Sequence, residues 1–167
     1  IKSGEHEMLL EAKDENANIG SAKATIKIIP VPKYIINTVP NQSMAPGTKV
    51  QLSSSLYDQA GEVIGETLDV QLLSPENKLV FSKYTKSGEI IDYEFLQYSQ
   101  PGTYTLQASY KELKAESKIT IEEVKNVKVR YENQTVMVEN IGNLFFNDEL
   151  TFLLQNGASK IPIIKKL

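Results

Sequence analysis

Along most of this chain apolar residues return at every second position, in short runs that stop at proline, glycine or asparagine. That rhythm is the period of a pleated strand, whose side chains point alternately to its two faces. The clearest case is Pro101-Gly102-Thr103-Tyr104-Thr105-Leu106-Gln107-Ala108-Ser109-Tyr110. Proline and glycine make a corner, and Tyr104, Leu106, Ala108 and Tyr110 then share one face. After Lys111-Glu112-Leu113-Lys114 a second row begins with Ala115, Ser117, Ile119 and Ile121, which predicts a hairpin. No ten-residue stretch holds a clear helical period. The strict alternation predicts sheets with one wet face.

The same rhythm divides the chain into units. Residues 5–13 and 22–29 form two strand candidates around the turn-rich Asp14-Glu15-Asn16-Ala17-Asn18-Ile19-Gly20-Ser21. Their layout matches 102–122, so residues 1–29 are expected to be the closing hairpin of a preceding or split sandwich. Pro30-Val31-Pro32 loses donors and fixes φ, which suits a stiff linker over 30–33. Between 34 and 122 the spacing predicts seven strands, near 34–39, 49–57, 67–73, 78–84, 90–96, 103–110 and 115–122. Their inward sets are Val50, Leu52 and Leu56; Leu68, Val70 and Leu72; Leu79 and Phe81; Ile91, Tyr93 and Phe95. Residues 123–167 hold four more strands, around Val127, Val136, Phe152 and Ile163. That is thin for an independent sandwich and is expected to be the opening part of one.

Composition narrows the class. The 167 residues are 41% hydrophobic, enough for a packed core. The net charge of −3 comes from interspersed signs without a basic stripe, which excludes the footprint of a nucleic-acid binder. No run approaches the length of a membrane span. The chain begins at Ile1 rather than Met and reads as a piece of a longer polypeptide, so targeting signals are not legible.

Three stretches carry a resemblance. Residues 69–80 together with 101–110 are similar to the repeated Ig-like modules of archaeal and bacterial surface proteins, and to macroglobulin-type domains. Val136-Met137-Val138-Glu139-Asn140-Ile141-Gly142-Asn143 resembles the CARDB-type adhesion-related modules of the same proteins, where a strand ends in an Asn-x-Gly turn. Residues 7–28 resemble the terminal hairpin of another such module. The resemblance implies tandem immunoglobulin-like β-sandwiches, one complete over 34–122 and one or two partial. It implies spacer, adhesion or lattice components outside the cell. In such a sandwich a tyrosine sits just past a corner near the start of the sixth strand, the place Tyr104 occupies after Gly102. The chain has no cysteine, whereas secreted vertebrate domains of this class carry an inter-sheet disulfide. Its absence fits a cytosolic protein or a microbial surface protein held by packing alone.

Chemistry-bearing residues are sparse. There is one histidine, His6, so a nucleophilic triad would have to use it, and an exposed strand residue is the plainer expectation. Zinc ligands and a phosphate loop are missing from the sequence. Asp14/Glu15, Glu122/Glu123 and Asp148/Glu149 are adjacent pairs that point to opposite faces of a strand, unlike a glycosidase pair. Asp14-x-Asn16-x-Asn18 has the alternate spacing of a calcium loop. However, Ile19 stands where glycine is required and Thr25 where the closing acid belongs, so a turn is expected. No metal or cofactor is expected. Asn41-Gln42-Ser43 and Asn133-Gln134-Thr135 are glycosylation sequons, making Asn41 and Asn133 candidate acceptors. Tyr84, Tyr93, Tyr98 and Tyr104 could form a sugar platform, or cap the core edge.

The expected function is therefore non-catalytic: an extracellular structural or adhesive module of an S-layer, filament or surface repeat protein. Alternatives are an accessory region of a secreted enzyme or a carbohydrate- or protein-binding module. Partners would be neighbouring modules or other subunits, met through strand edges, and glycans. The two ends leave apolar rows, Ile26 and Ile28 on one side and Val136, Val138, Phe152 and Leu154 on the other. Either they pair within the chain, with 34–122 inserted between them, or they complete one another between subunits.

Overall fold

A computed structural model describes residues 1–166; Leu167 and the side chains of Leu154 and Asn156 lie outside the described residues. The elements are all strands. The first two, β1 (Gly4–Lys13) and β2 (Ile19–Ile28), form an antiparallel hairpin that pairs with nothing else. Its loop is closed by Asp14, whose carboxylate accepts from the Asn16 and Asn18 backbone N–H groups and from the Asn18 side-chain amide.

The central sandwich follows. Its first sheet orders β3 (Pro32–Thr38), β5 (Lys49–Asp58) and β8 (Ile90–Glu94). Its second runs β4 (Ser43–Met44), β10 (Leu113–Ile121), β9 (Gly102–Tyr110), β6 (Thr67–Leu73) and β7 (Leu79–Lys86). The short β4 was not foreseen. After β3 the chain breaks near Pro40 and crosses to the other sheet, where β4 runs parallel to β10. Proline lacks the donor needed to continue β3, which favours the switch. The expected linker 30–33 is also shorter than expected, because Pro32 and Lys33 belong to β3. A proline is tolerated at a strand's first residue, and the register shifts between Pro32 and Tyr34.

One core joins the two sheets. Val50, Leu52, Leu56 and Ile91 come from the first, and Leu68, Val70, Leu72, Leu106, Ile119 and Ile121 from the second. Each fully buried leucine contributes on the order of 1.5–3 kcal/mol over an exposed one. Leu79, expected inside, is 60% exposed. A bulge explains it: Leu72 opposes Phe81 but Leu73 opposes Leu79, so Val80 is an extra residue and the alternation breaks there. Where a disulfide is absent, aromatic rings span the sandwich. Phe81, Tyr93, Phe95 and Tyr104 stack edge to face in sequence, with centroids 5.6, 5.0 and 5.1 Å apart. A polar clasp adds to this. Asn37 donates its amide to the carbonyls of Leu106 and Ala115 across the sandwich, and accepts from the fully buried Ser54 hydroxyl.

Two further hairpins follow: β11 (Val127–Glu132) with β12 (Thr135–Asn140), and β13 (Glu149–Asn156) with β14 (Ser159–Lys166). They are separate two-stranded sheets, and β1–β2 joins neither. The inserted arrangement, with the chain's ends closing one sandwich, is therefore not the one formed.

Candidate functional site: the joints at the two ends of the sandwich

The polar contacts that join units of this chain gather at opposite ends of β5. At its C-terminal end, Asp58 closes a turn by accepting from the N–H groups of Ala60 and Glu62, at 2.8 and 2.9 Å. Its second oxygen accepts from the hydroxyl of Ser3, just ahead of β1. Gln59 accepts from the Val31 N–H at 2.7 Å and donates to the Ile29 carbonyl at 3.2 Å. The hairpin is thus tethered at its base to the β5 turn. The Ser3 hydroxyl first, then the Glu62 N–H, hold the Asp58 carboxyl below its ordinary value, against the opposing effect of burial. An exposed Lys2–Glu62 ion pair adds little.

At the other end of β5 lies the loop after β8. Backbone contacts Thr48–Phe95 and Gly47–Leu96 bring that loop beside the start of β5. Residues 97–99 of the loop form a socket for the turn Asn140-Ile141-Gly142-Asn143. Gln97 donates to the Ile141 carbonyl at 2.6 Å, and the Tyr98 hydroxyl to the Asn140 carbonyl at 3.1 Å. Asn143 donates its amide to the carbonyls of Ser99 and Glu122, at 3.1 and 2.9 Å, and accepts from the Val124 N–H at 2.7 Å. The Ile141 and Asn143 N–H groups bond the carbonyls of Asn126 and Val124. Gly142 is buried, and a Cβ there would lie 2.0 Å from the Val124 carbonyl oxygen. Only a glycine lets the two backbones approach so closely.

The expected corner supports this socket. Tyr104 is 4% exposed, and its hydroxyl donates to the Gln100 carbonyl at 3.0 Å. Burial, and then the neighbouring Tyr93 hydroxyl, push its pKa upward. Gly102 has φ +122° and its Cβ position faces Pro75 at 3.1 Å, so both conformation and space favour glycine. The corner pins residue 100 from below while residues 97–99 hold the joint from above. Sequence reasoning placed the corner and marked the Asn-x-Gly turn, but not that the two meet. The alternation pattern carries no information on loop-to-loop contact.

The remaining sites are dispersed. Asn41 is exposed ahead of β4, while Ser43 of the same sequon donates to Glu122. Asn133 is exposed at the tip of β11–β12, in a turn where Asn133 and Gln134 both have positive φ. His6 lies on β1 with its Nε2 2.7 Å from the Lys2 carbonyl. Asp14 is committed to its loop and Asp148 to Lys125, at 2.8 Å. The four tyrosines do not form one platform. Tyr93 and Tyr104 belong to the core ladder, Tyr84 points outward from β7, and Tyr98 serves the joint. Among the described residues no group of three or more acidic, histidine or cysteine side chains is arranged to hold a metal, and no helix is long and apolar enough to cross a membrane.

No protein-family model matches the chain, and no curated protein matches it. Solved structures do. The chain is similar to trypsin-activated alpha-2-macroglobulin from Escherichia coli, with TM-score 0.50 and 13% identity over 95% of this chain and 11% of that one. It is similar also to Escherichia coli alpha-2-macroglobulin activated by porcine elastase, with TM-score 0.49 and 13% identity over 80% of this chain and 11% of that one. A tetra-tandem repeat in the extending region of a large adhesion protein gives TM-score 0.40 and 11% identity, over 99% of this chain and 46% of that one. At such identities the first likeness shows the fold alone: an all-β chain built on an Ig-like, macroglobulin-like sandwich.

Proposed function

We propose that this chain is a non-catalytic structural or adhesive segment of a microbial surface protein, working outside the cell as a jointed spacer. One observation carries the reading. The units before and after the sandwich are fastened at opposite ends of β5, ten residues or ~33 Å apart, by side chains committed to those joints. A chain built so transmits force from one end to the other along the strands. The CARDB-like turn, the archaeal or bacterial setting, and the S-layer or filament role belong to this proposal. So do glycans at Asn41 and Asn133, which stand exposed at the surface.

The test is mechanical. The chain is pulled by its ends in a single-molecule experiment. The sandwich should unfold as one late event, after the flanking hairpins, because its core links both sheets. Extension without a resolved sandwich event, or glycan binding that depends on Tyr84 or Tyr98, would count against a spacer. A second reading is an accessory region of a secreted enzyme with its catalysis elsewhere. It is supported by the matched macroglobulin segment being 11% of a much larger chain. A catalytic domain in the same gene would favour it.

A further inference from the structure

We infer that the two sequons are not equivalent: Asn133 takes a glycan on the folded chain, whereas Asn41 takes one only before β4 seats against β10. The inference rests on the extracellular reading above and orders the modification against folding. N-linked transfer is a displacement. The asparagine side-chain nitrogen attacks the anomeric carbon of a lipid-pyrophosphate-linked sugar. The C–N bond forms as the C–O bond breaks, the lipid pyrophosphate leaves with the electron pair, and the amide gives up a proton to a base. A transferase must therefore seat the acceptor nitrogen beside that carbon, and it reads the hydroxyl two residues further on. Only a segment free of its strand partners, with that hydroxyl unengaged, meets both needs. Whether a folded sequon reacts then depends on the local cost of opening, which differs from place to place in a structure.

Asn41 is exposed, but the rest of its sequon is held by the sandwich. The Thr120 N–H donates to the Gln42 carbonyl at 2.7 Å, and the Glu122 N–H to the Met44 carbonyl at 2.9 Å. The Ser43 hydroxyl, which the transferase must read, donates to the Glu122 carboxylate at 2.8 Å. Met44, the next residue, is 6% exposed and belongs to the core. Freeing Ser43 means stripping β4 from β10 and drawing Met44 out of the core. Opening this sequon is thereby coupled to opening the sandwich itself. Asn133 stands differently. Asn133, Gln134 and Thr135 are all exposed, at the tip of the two-stranded sheet β11–β12. A two-stranded ribbon has little stability of its own, so its tip opens without disturbing the sandwich core. The Thr135 hydroxyl reaches only the Asn133 carbonyl of its own turn, at 3.5 Å.

The test makes the full chain by two routes. In the first, with a signal peptide added, a eukaryotic secretory pathway attaches glycans during synthesis. In the second, the chain folds in bacteria that lack the transferase, and is then given purified oligosaccharyltransferase and a lipid-linked oligosaccharide. Occupancy is read by mass spectrometry of the peptides that carry each sequon. Asn133 should be modified by both routes, and Asn41 by the first but severalfold less by the second. Met44→Ser keeps the sequon and weakens the hold of β4 on the core, so it should raise Asn41 occupancy on the folded chain. Amide exchange gives a check that needs no transferase: the Thr120 and Glu122 N–H groups should exchange only with the sandwich as a whole. Several results would each overturn the inference: Asn41 modified on the folded parent as readily as Asn133, Asn133 left bare there, Asn41 bare by both routes, Met44→Ser without effect, or Thr120 and Glu122 exchanging ahead of the core strands. The pulling experiment uses the unglycosylated chain, so the ordering of the sequons can fail while the spacer reading stands, and the reverse.

Discussion

Tyr104 shows how much one side chain does here. It fills the end of the aromatic ladder, and its hydroxyl holds the Gln100 carbonyl beneath the socket loop. Tyr104→Phe is expected to cost about 1 kcal/mol through the lost hydrogen bond. Tyr104→Ala should cost about 3 kcal/mol or more through the cavity, both read from denaturant unfolding. A phenylalanine variant as stable as the parent would show that the hydroxyl contributes nothing. Alkaline pH offers an independent check. Tyr93 and Tyr104 both have pKa values raised above the ordinary 10.0, chiefly by burial. The unfolded chain then loses these protons first, so the folded state binds more of them. Their contribution to stability is intact below pH 10.0 and falls as pH rises toward the folded values. Unfolding midpoints followed through that window should decline faster in the parent than in Tyr104→Phe.

At the scale of elements, two turns are set by local chemistry. In β11–β12 the two loop residues, Asn133 and Gln134, have φ of 50° and 60°, the left-handed pair of a type I′ turn. Asparagine accepts this conformation readily; glutamine does so at a cost. Gln134→Gly should steady the hairpin by about 1 kcal/mol, seen as slower amide exchange in β11 and β12, and it leaves Asn133 and Thr135 in place. Unchanged exchange would mean that the turn is not limiting. The β1–β2 loop is closed by Asp14 through its own neighbours, Asn18 donating rather than offering an oxygen. Calcium should therefore leave the melting temperature where a chelator leaves it. A rise of several degrees would show that the loop reopens around the ion.

For the whole molecule the question is stiffness. The turn that follows β12 is fixed to the sandwich by hydrogen bonds that converge on residues 140–143, with Gly142 against the Val124 backbone. Gly142→Ala forces a Cβ into the space of a carbonyl oxygen, so the turn must withdraw. The local cost should be about 1–3 kcal/mol. It should appear as wider inter-unit motion in small-angle scattering and residual dipolar couplings, with the melting of the sandwich nearly unchanged. A variant scattering like the parent would show that the joint is held elsewhere.

Alternation by itself determined that the chain is all-β, where most strands run, and which faces of β5, β6 and β8 are buried. Each of those depends on residues one or two apart. The corner at Gly102 and Tyr104 was legible for the same reason, since its hydrogen bond spans four residues. What tertiary structure alone decided involves residues far apart in sequence. Val80 became a bulge and turned Leu79 outward only because β6 set the register opposite. Asn37, unremarkable in a strand pattern, became a clasp because Leu106 and Ala115 lie across the core. The Asn-x-Gly turn became a joint because residues 97–99, more than forty positions earlier in the sequence, meet it at one end of the sandwich. Periodicity encodes a side chain's face, but the partner waiting on that face is set by how the sheets and loops come together.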